Sequence, residues 1–361
     1  MTENDQFVVS APGRVCLFGE HSDYLGLDVI AAAIDRYVTI VCKPRRDPLI
    51  SVGYPDLAES DEFAIDQEVE YRHRRDYLRS AFNVLARRGM RPLGGAELIV
   101  TGDLPIASGL SSSSALTVAA VHTVAALAHE TLGPRDAALL AYEAEVREFG
   151  ESGGTMDHMA SAYGGIVHVE MVPDGVTSRL PAKIDGIVIG DSLERKEDTV
   201  GDLRRIRAIV ESEYRVLAGM IKDFDQRTTP LSIVYGTCHS RPSAERRMAE
   251  ATLRNRDLTA DALTLLSSEF PDPHRLGEML DEHHRILRDD LERSTPKIER
   301  LIRAAKDAGA LGCKINGSGG GGTMMAYAPG REEDVATAIE RAGGKAHCVG
   351  LGKGASVQFK L

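Results

Sequence analysis

The chain has 361 residues, 43% of them hydrophobic and 27% charged, with a formal net charge of −11 at pH 7. That length allows two domains or one large α/β body, and the apolar content excludes disorder of the whole chain. The acidic balance, with no Lys or Arg run long enough to line a groove, argues against a nucleic-acid partner, so local positive charge must meet any anion.

No charged-then-apolar leader opens the chain, and no apolar stretch approaches the ~18 residues that cross a bilayer. The expectation is a soluble cytoplasmic protein with no membrane partner. Residues 6–45 read as strands, FVVSAPGRVCLFGE and LDVIAAAIDRYVTIVCK, joined by the polar turn HSDYLG. The strand end delivers Glu20, His21 and Asp23 into that turn, where consecutive polar groups hydrogen-bond in different directions, as a polyhydroxylated ligand requires. Arg14 lies upstream and offers a fixed positive charge suited to a transferring phosphoryl group. Taken alone, the same segment also reads as an ordinary polar turn.

The spacing predicts a helix over 75–90 and a strand over Ala96–Thr101. A serine-and-glycine loop follows at 104–120, LPIASGLSSSSALTVAA, and Leu116, Ala120, Val124 and Leu127 then recur at helical spacing. A helix over 114–131 therefore begins inside the serine run. Its free N–H groups and positive dipole end face an anion in the loop, and Gly109 admits close backbone approach. Ser111, Ser112, Ser113 and Ser114 add hydroxyls, one of which can ligate a metal accompanying phosphates. The other reading is a flexible loop ending in a serine cap.

A third helix is expected over 135–150, a strand over Gly165–Val172, a turn at VPDG and another strand, GIVIG, over 186–190. A domain boundary falls near residue 180. From 200 to 310 the pattern is helical, with an apolar stripe at Leu276, Leu280, Leu287 and Leu291 and a new helix starting at Pro296. Residues 311–329, LGCKINGSGGGGTMMAYAP, join this region to a final strand. Gly317, Gly319, Gly320, Gly321 and Gly322 cost chain entropy, so close approach of backbone to a ligand explains them better than a turn does. Neither glycine-rich segment is a Walker A loop or a GxGxxG fingerprint. Cys16, Cys42, Cys238, Cys313 and Cys348 are odd in number and lack metal-ligand spacing, which predicts buried, reduced thiols.

APGRVCLFGEHSDYLG at 11–26, the serine loop and the glycine run, in this order, resemble the GHMP kinases, the family of galactokinase, homoserine kinase, mevalonate kinase and phosphomevalonate kinase. The likeness runs from Ala11 to about Tyr327. It implies an α+β fold of two domains, 1–180 and 181–361, with the active site in the cleft between them. It also implies ATP-dependent phosphorylation of a small-molecule hydroxyl. Gly109, Leu110, Ser111, Ser112, Ser113, Ser114, Gly317, Gly319 and Gly320 would then bind ATP. ESGGTMDHMASAYGG at 151–165 resembles the stretch bearing the family's catalytic aspartate, which places that role on Asp157. A carboxylate that accepts the substrate hydroxyl proton, with a cation nearby, suffices for this chemistry. Arg14 matches the family's arginine beside the aspartate. By the same resemblance Glu145 shares Mg²⁺ with Ser113; without it, a single glutamate on a helix reads as a solvated residue.

PGRVCLFGEHSDY, GTMDH and HHRILRDDLERSTPKIERL (283–301) resemble the galactokinase branch, with Glu20, His21 and Asp23 on sugar hydroxyls. LGLDVIAAAID after Tyr24, MASAYGG and VIGDSLERKEDT resemble the mevalonate kinase branch, and Gly201 stands where galactokinases place a tyrosine that touches the sugar. Mevalonate already carries a carboxylate, which Asp23 beside Glu20 would repel unless offset. The expectation is a sugar kinase acting on the anomeric hydroxyl of a galactose-like monosaccharide. Mevalonate kinase is the alternative, and a catalytically silent sugar- and ATP-binding sensor the alternative of another class. His158 reads as a packed or capping histidine and Tyr163 as lining either pocket or core. Asn316 replaces the family's Thr or Ser, which weakens that part of the motif while leaving an amide able to bond phosphate.

Overall fold

A computed structural model describes residues 6–104, 109–172, 175–194, 199–237 and 243–360. Residues 105–108 of the serine loop, Pro173 and Asp174 of the expected turn, residues 195–198 of VIGDSLERKEDT, and Cys238 lie outside the described residues.

Strands β1 (Phe7–Phe18) and β2 (Val29–Pro44) pair antiparallel, with bulges between Pro12 and Arg14 and between Cys16 and Phe18. The polar turn between them holds a short 3-10 turn at Asp23–Leu25. The hairpin β3 (Leu49–Tyr54) and β4 (Glu59–Ala64) was not expected. β4 reads ESDEFA because it is the sheet edge, where charge discourages further pairing.

Helix α1 (Tyr77–Arg87), strand β5 (Ala96–Gly102) and helix α2 (Ser112–Leu127) follow the expected order. α2 begins inside the serine run and is buried on nearly all sides from Ser114 onward, which its Ala-, Val- and Thr-rich composition permits. α3 (Pro134–Tyr142) passes into a π turn at Glu143–Arg147, so the expected single helix over 135–150 carries a widened turn. After α4 (Met156–Tyr163) come β6 (Ile166–Val169) and β7 (Thr177–Leu180). α2 and α4 pack on β1 and β2, with α1 and α3 against α2.

The second sheet starts at β8 (Ile187–Asp191). Helices α5 (Thr199–Met220), α6 (Leu231–Thr237), α7 (Ala244–Leu266), α8 (Pro273–Arg285) and α9 (Pro296–Asp307) come next. Leu276, Leu280, Leu287 and Leu291 are all buried, and α9 starts at Pro296 with Thr295 capping the Ile298 N–H. The glycine-rich stretch differs from expectation. It is a hairpin of β9 (Gly312–Asn316) and β10 (Thr323–Tyr327) with the glycine run at its tip, and α10 (Glu332–Arg341), β11 (Lys345–Val349) and β12 (Ser356–Phe359) follow. Both hairpin strands are five residues long and buried throughout, so they show no alternation to read.

The eight-stranded sheet runs β12-β1-β2-β5-β3-β4, with β6 on β2 and β7 on β6; the four-stranded sheet runs β11-β8-β10-β9. Tyr24, Leu25 and Leu27, from the β1–β2 turn, belong to the core of the second sheet and its helices. Each such side chain contributes ~1.5–3 kcal/mol when fully buried, so the turn is anchored between the two halves. Cys16, Cys42 and Cys313 are buried, Cys348 is half-buried, and all four are free thiols. No described helix is long and apolar enough to cross a membrane.

Candidate active site

A cavity of about 990 Å³ opens where the β1–β2 turn, the start of α2, the start of α4 and the glycine run meet. The bulge after Pro12 positions its central cation. The Arg14 N–H donates to Leu110 O at 3.1 Å, and a Cβ on Gly13 would stand 2.7 Å from that same oxygen, so only glycine admits the loop this close. Arg14 Nε and Nη2 both reach Asp157 Oδ1 at 2.7 Å, and Nη1 donates to Gly109 O at 2.8 Å. Burial opposes the guanidinium charge, but Asp157 and Glu20 more than offset it and raise its pKa.

Asp157 lies in the first turn of α4, where the helix dipole favours a carboxylate. Ser111 donates its hydroxyl to Asp157 Oδ2 at 2.6 Å from a left-handed backbone, φ 59°. A non-glycine residue held there costs on the order of 1–3 kcal/mol, and such strain concentrates at functional sites.

Glu20 is fixed from two sides. Its Oε2 accepts from Lys314 Nζ at 2.9 Å and from the Gly317 N–H at 3.0 Å, while Lys314 also donates to Cys16 O at 2.8 Å. Burial would raise the Glu20 pKa, but Lys314 and Arg14 outweigh it and hold the group down at about 2. Asn316 uses both ends of its amide within the protein: Nδ2 donates to Gly109 O at 2.9 Å and Oδ1 accepts from the Cys16 N–H at 3.0 Å. Its amide joins β1, the serine loop and β9 and is not held for a phosphate.

His21 adopts φ 65°, with Nδ1 2.9 Å from the Tyr24 hydroxyl. Burial, and then the neighbouring Asp157, push Asp23 up to about 7. Asp23 packs tightly on Gly154, where a Cβ would come within 2.3 Å of Oδ2. All five glycines of the run have positive φ, from 69° to 112°. Gly317 and Gly322 line the cavity. Gly319 and Gly320 instead pack on Arg293, whose carbonyl accepts the Gly320 N–H at 2.9 Å and whose Nε donates to Ser318 O at 3.1 Å. Among the residues expected to hold ATP, the cavity is lined by Gly109, Ser111, Ser112, Ser113, Ser114 and Gly317, whereas Leu110, Gly319 and Gly320 support them from behind.

Ser113 and Glu145 both line the cavity. The π turn carries Glu145, and His158 Nε2 stands 2.8 Å from its Oε2. One carboxylate and one hydroxyl are hard oxygen donors that fit Mg²⁺, which takes its remaining ligands from phosphate and water. No group of three His, Cys, Asp or Glu residues that could hold a metal occurs among the described residues. Sequence reasoning missed Arg74, Arg75 and Tyr77 on the cavity wall and Arg293 behind it, and it assigned no role to Lys314, which precedes the glycine run. A lysine between Cys313 and Ile315 in a short strand was the available signal for Lys314.

The fold and these loops define a kinase of the GHMP class, and the chain belongs to the GHMP kinase family. The GHMP kinases N terminal domain matches residues 76–165, the GHMP kinases C terminal matches 262–346, and the galactokinase galactose-binding signature matches 2–44. The mevalonate kinase of Pyrococcus furiosus is 31% identical over 346 residues, 93% of each chain. The galactokinase of Actinobacillus succinogenes is 29% identical, over 92% of this chain and 87% of its own. The crystal structure of Lactococcus lactis galactokinase complexed with galactose superposes with a TM-score of 0.84 at 20% identity, over 97% of this chain and 95% of that one.

Proposed function

We propose that the protein transfers the γ-phosphoryl group of ATP to the anomeric hydroxyl of a galactose-like monosaccharide. The observation that carries this reading is the Asp157 carboxylate, held by Arg14 and Ser111 in the cavity that Glu20, His21 and Asp23 also line. Asp157 accepts the proton of the attacking hydroxyl, and Arg14 offsets charge on the transferring group. The α2 N-terminus, with Ser112 to Ser114, receives the phosphates of ATP. Bound Mg²⁺ supplies charge neutralisation at the phosphate oxygens, and Ser113 and Glu145 would hold it. On this reading residues 1–180 supply the phosphate loop and base and 181–361 supply the glycine run, with β12 crossing back to β1.

The extent of likeness to the Pyrococcus furiosus mevalonate kinase supports a second reading, in which mevalonate is the acceptor. Coupled ADP release with a panel of monosaccharides plus mevalonate separates the two, and phosphorus NMR of the product identifies the hydroxyl used. Turnover is expected with a galactose-like sugar. ATP binding without turnover on any of these acceptors would instead make the protein a sensor.

Asp23 accepts from sugar hydroxyls through both oxygens, and more strongly, as a carboxylate, and its pKa is pushed up to about 7. KM for the sugar is therefore expected to rise as pH falls below 7. Asp23→Asn should weaken binding and flatten that profile; an unchanged slope in the variant would place the titration elsewhere.

A further inference from the structure

Directly after the proposed base, α4 carries a histidine whose partner is on a different element. His158 Nε2 lies 2.8 Å from Glu145 Oε2, and the two side chains are only 2% and 9% exposed. A carboxylate oxygen can only accept, so Nε2 carries the proton of this bond. The imidazole is held edge-on by Tyr142, centroids 5.7 Å apart at 79°. Its Nδ1 is buried and has no hydrogen-bond partner among the described residues. That unmet atom costs on the order of 1–3 kcal/mol, which a purely apolar side chain at 158 would not incur.

The widened turn Glu143–Arg147 shows the same pattern from the other side. π turns are frequent at functional sites, and here Glu145, carried by the turn, meets His158 at the cavity wall. We propose that His158 is a positioning residue for the metal: its Nε2–H fixes Glu145 Oε2 and so orients the carboxylate toward a Mg²⁺–nucleotide complex. Hydrogen bonds to a ligating carboxylate set its orientation and are worth roughly 10–100-fold in metal affinity. Because Asp157 and His158 are adjacent on α4, one short helix sets the base and, through Glu145, the metal. This inference rests on the reading of Glu145 as a metal ligand given above.

The test uses the full chain with ADP and Mn²⁺, whose binding is read by electron paramagnetic resonance, alongside calorimetry of ADP without metal. His158→Leu is expected to weaken Mn²⁺ binding in the ADP complex about tenfold or more while metal-free ADP binding stays at the wild-type value. His158→Gln, which retains an N–H donor of similar reach, should restore Mn²⁺ affinity. His158→Asn, polar but too short to reach Glu145, should behave like His158→Leu and serves if the leucine variant does not fold. Equal Mn²⁺ affinity in wild type, His158→Asn and His158→Gln would overturn the inference alone. Loss of metal-free ADP binding in parallel with Mn²⁺ binding would assign His158 a structural role and overturn it as well. Wild-type ADP binding that is indifferent to metal would remove Glu145 as a ligand, and the inference with it, whatever the sugar panel gives.

Discussion

Asp157→Asn is expected to lower kcat by roughly 10²–10⁴-fold, the usual contribution of a positioned base, with nucleotide affinity preserved. The amide keeps the shape of the carboxylate and can still accept from Arg14 through its oxygen, but it cannot take up the substrate proton. Asp157→Ala is the harsher change, because it strands the Arg14 guanidinium, which is only 6% exposed, without its counter-ion. The asparagine variant therefore separates chemistry from folding. Turnover by coupled ADP release and binding of a fluorescent nucleotide make the comparison, and wild-type turnover in Asp157→Asn would remove Asp157 from the role of base.

Lys314→Met is expected to destabilise the fold by about 3–5 kcal/mol, the cost of leaving one charge of a buried pair uncompensated. Lys314 is fully buried and Glu20 is 4% exposed, so neither charge has water to fall back on. Urea unfolding measures the loss, and adding Glu20→Gln to Lys314→Met should recover much of it by removing the stranded carboxylate. The pH sign follows from Glu20, whose pKa is lowered to about 2 in the fold from an ordinary 4.5. Its contribution is present above pH 4.5 and is lost as pH falls from there toward 2, so wild type and variant should converge in that window. A single variant within 1 kcal/mol of wild type, on the usual scale for exposed pairs, would show that the pair contributes little.

The elements legible in the sequence were those with a local cause. α2 begins inside the serine run, where Leu116, Ala120, Val124 and Leu127 keep helical spacing, although Ser111 at its start gives its hydroxyl to Asp157 and makes no cap. α9 begins at Pro296 because proline cannot sit deeper in a helix. The glycine run was legible as unusual backbone, and all five of its glycines have positive φ, with Gly319 and Gly320 packed on Arg293. The hairpin around it was not, since five-residue buried strands carry no period. Nor was the π turn, because one extra residue per turn leaves the Ala- and Glu-rich composition of that helix unchanged.

Within the site, the Arg14, Asp157 and serine segments could be singled out by residue type and by resemblance, and the structure brings them together. What no local pattern revealed was how Glu20 and Asn316 are used. Glu20 meets Lys314 across 294 positions of sequence and Asn316 meets Gly109 across 207. Such pairings come from packing the two halves, and a linear reading has no term for them.

β12 lies beside β1, with Phe359 opposite Phe7, and forms the outer strand of the first sheet. During synthesis β1 leaves the ribosome well before β12, its neighbour on that side. Until then β1 presents an unpaired edge that includes Phe7, a side chain fully buried in the finished fold. The first half can gather its core around α2 early, but its sheet closes only after the second half has been made. Completion of the first sheet therefore waits on a strand that follows the whole of the second sheet in the chain.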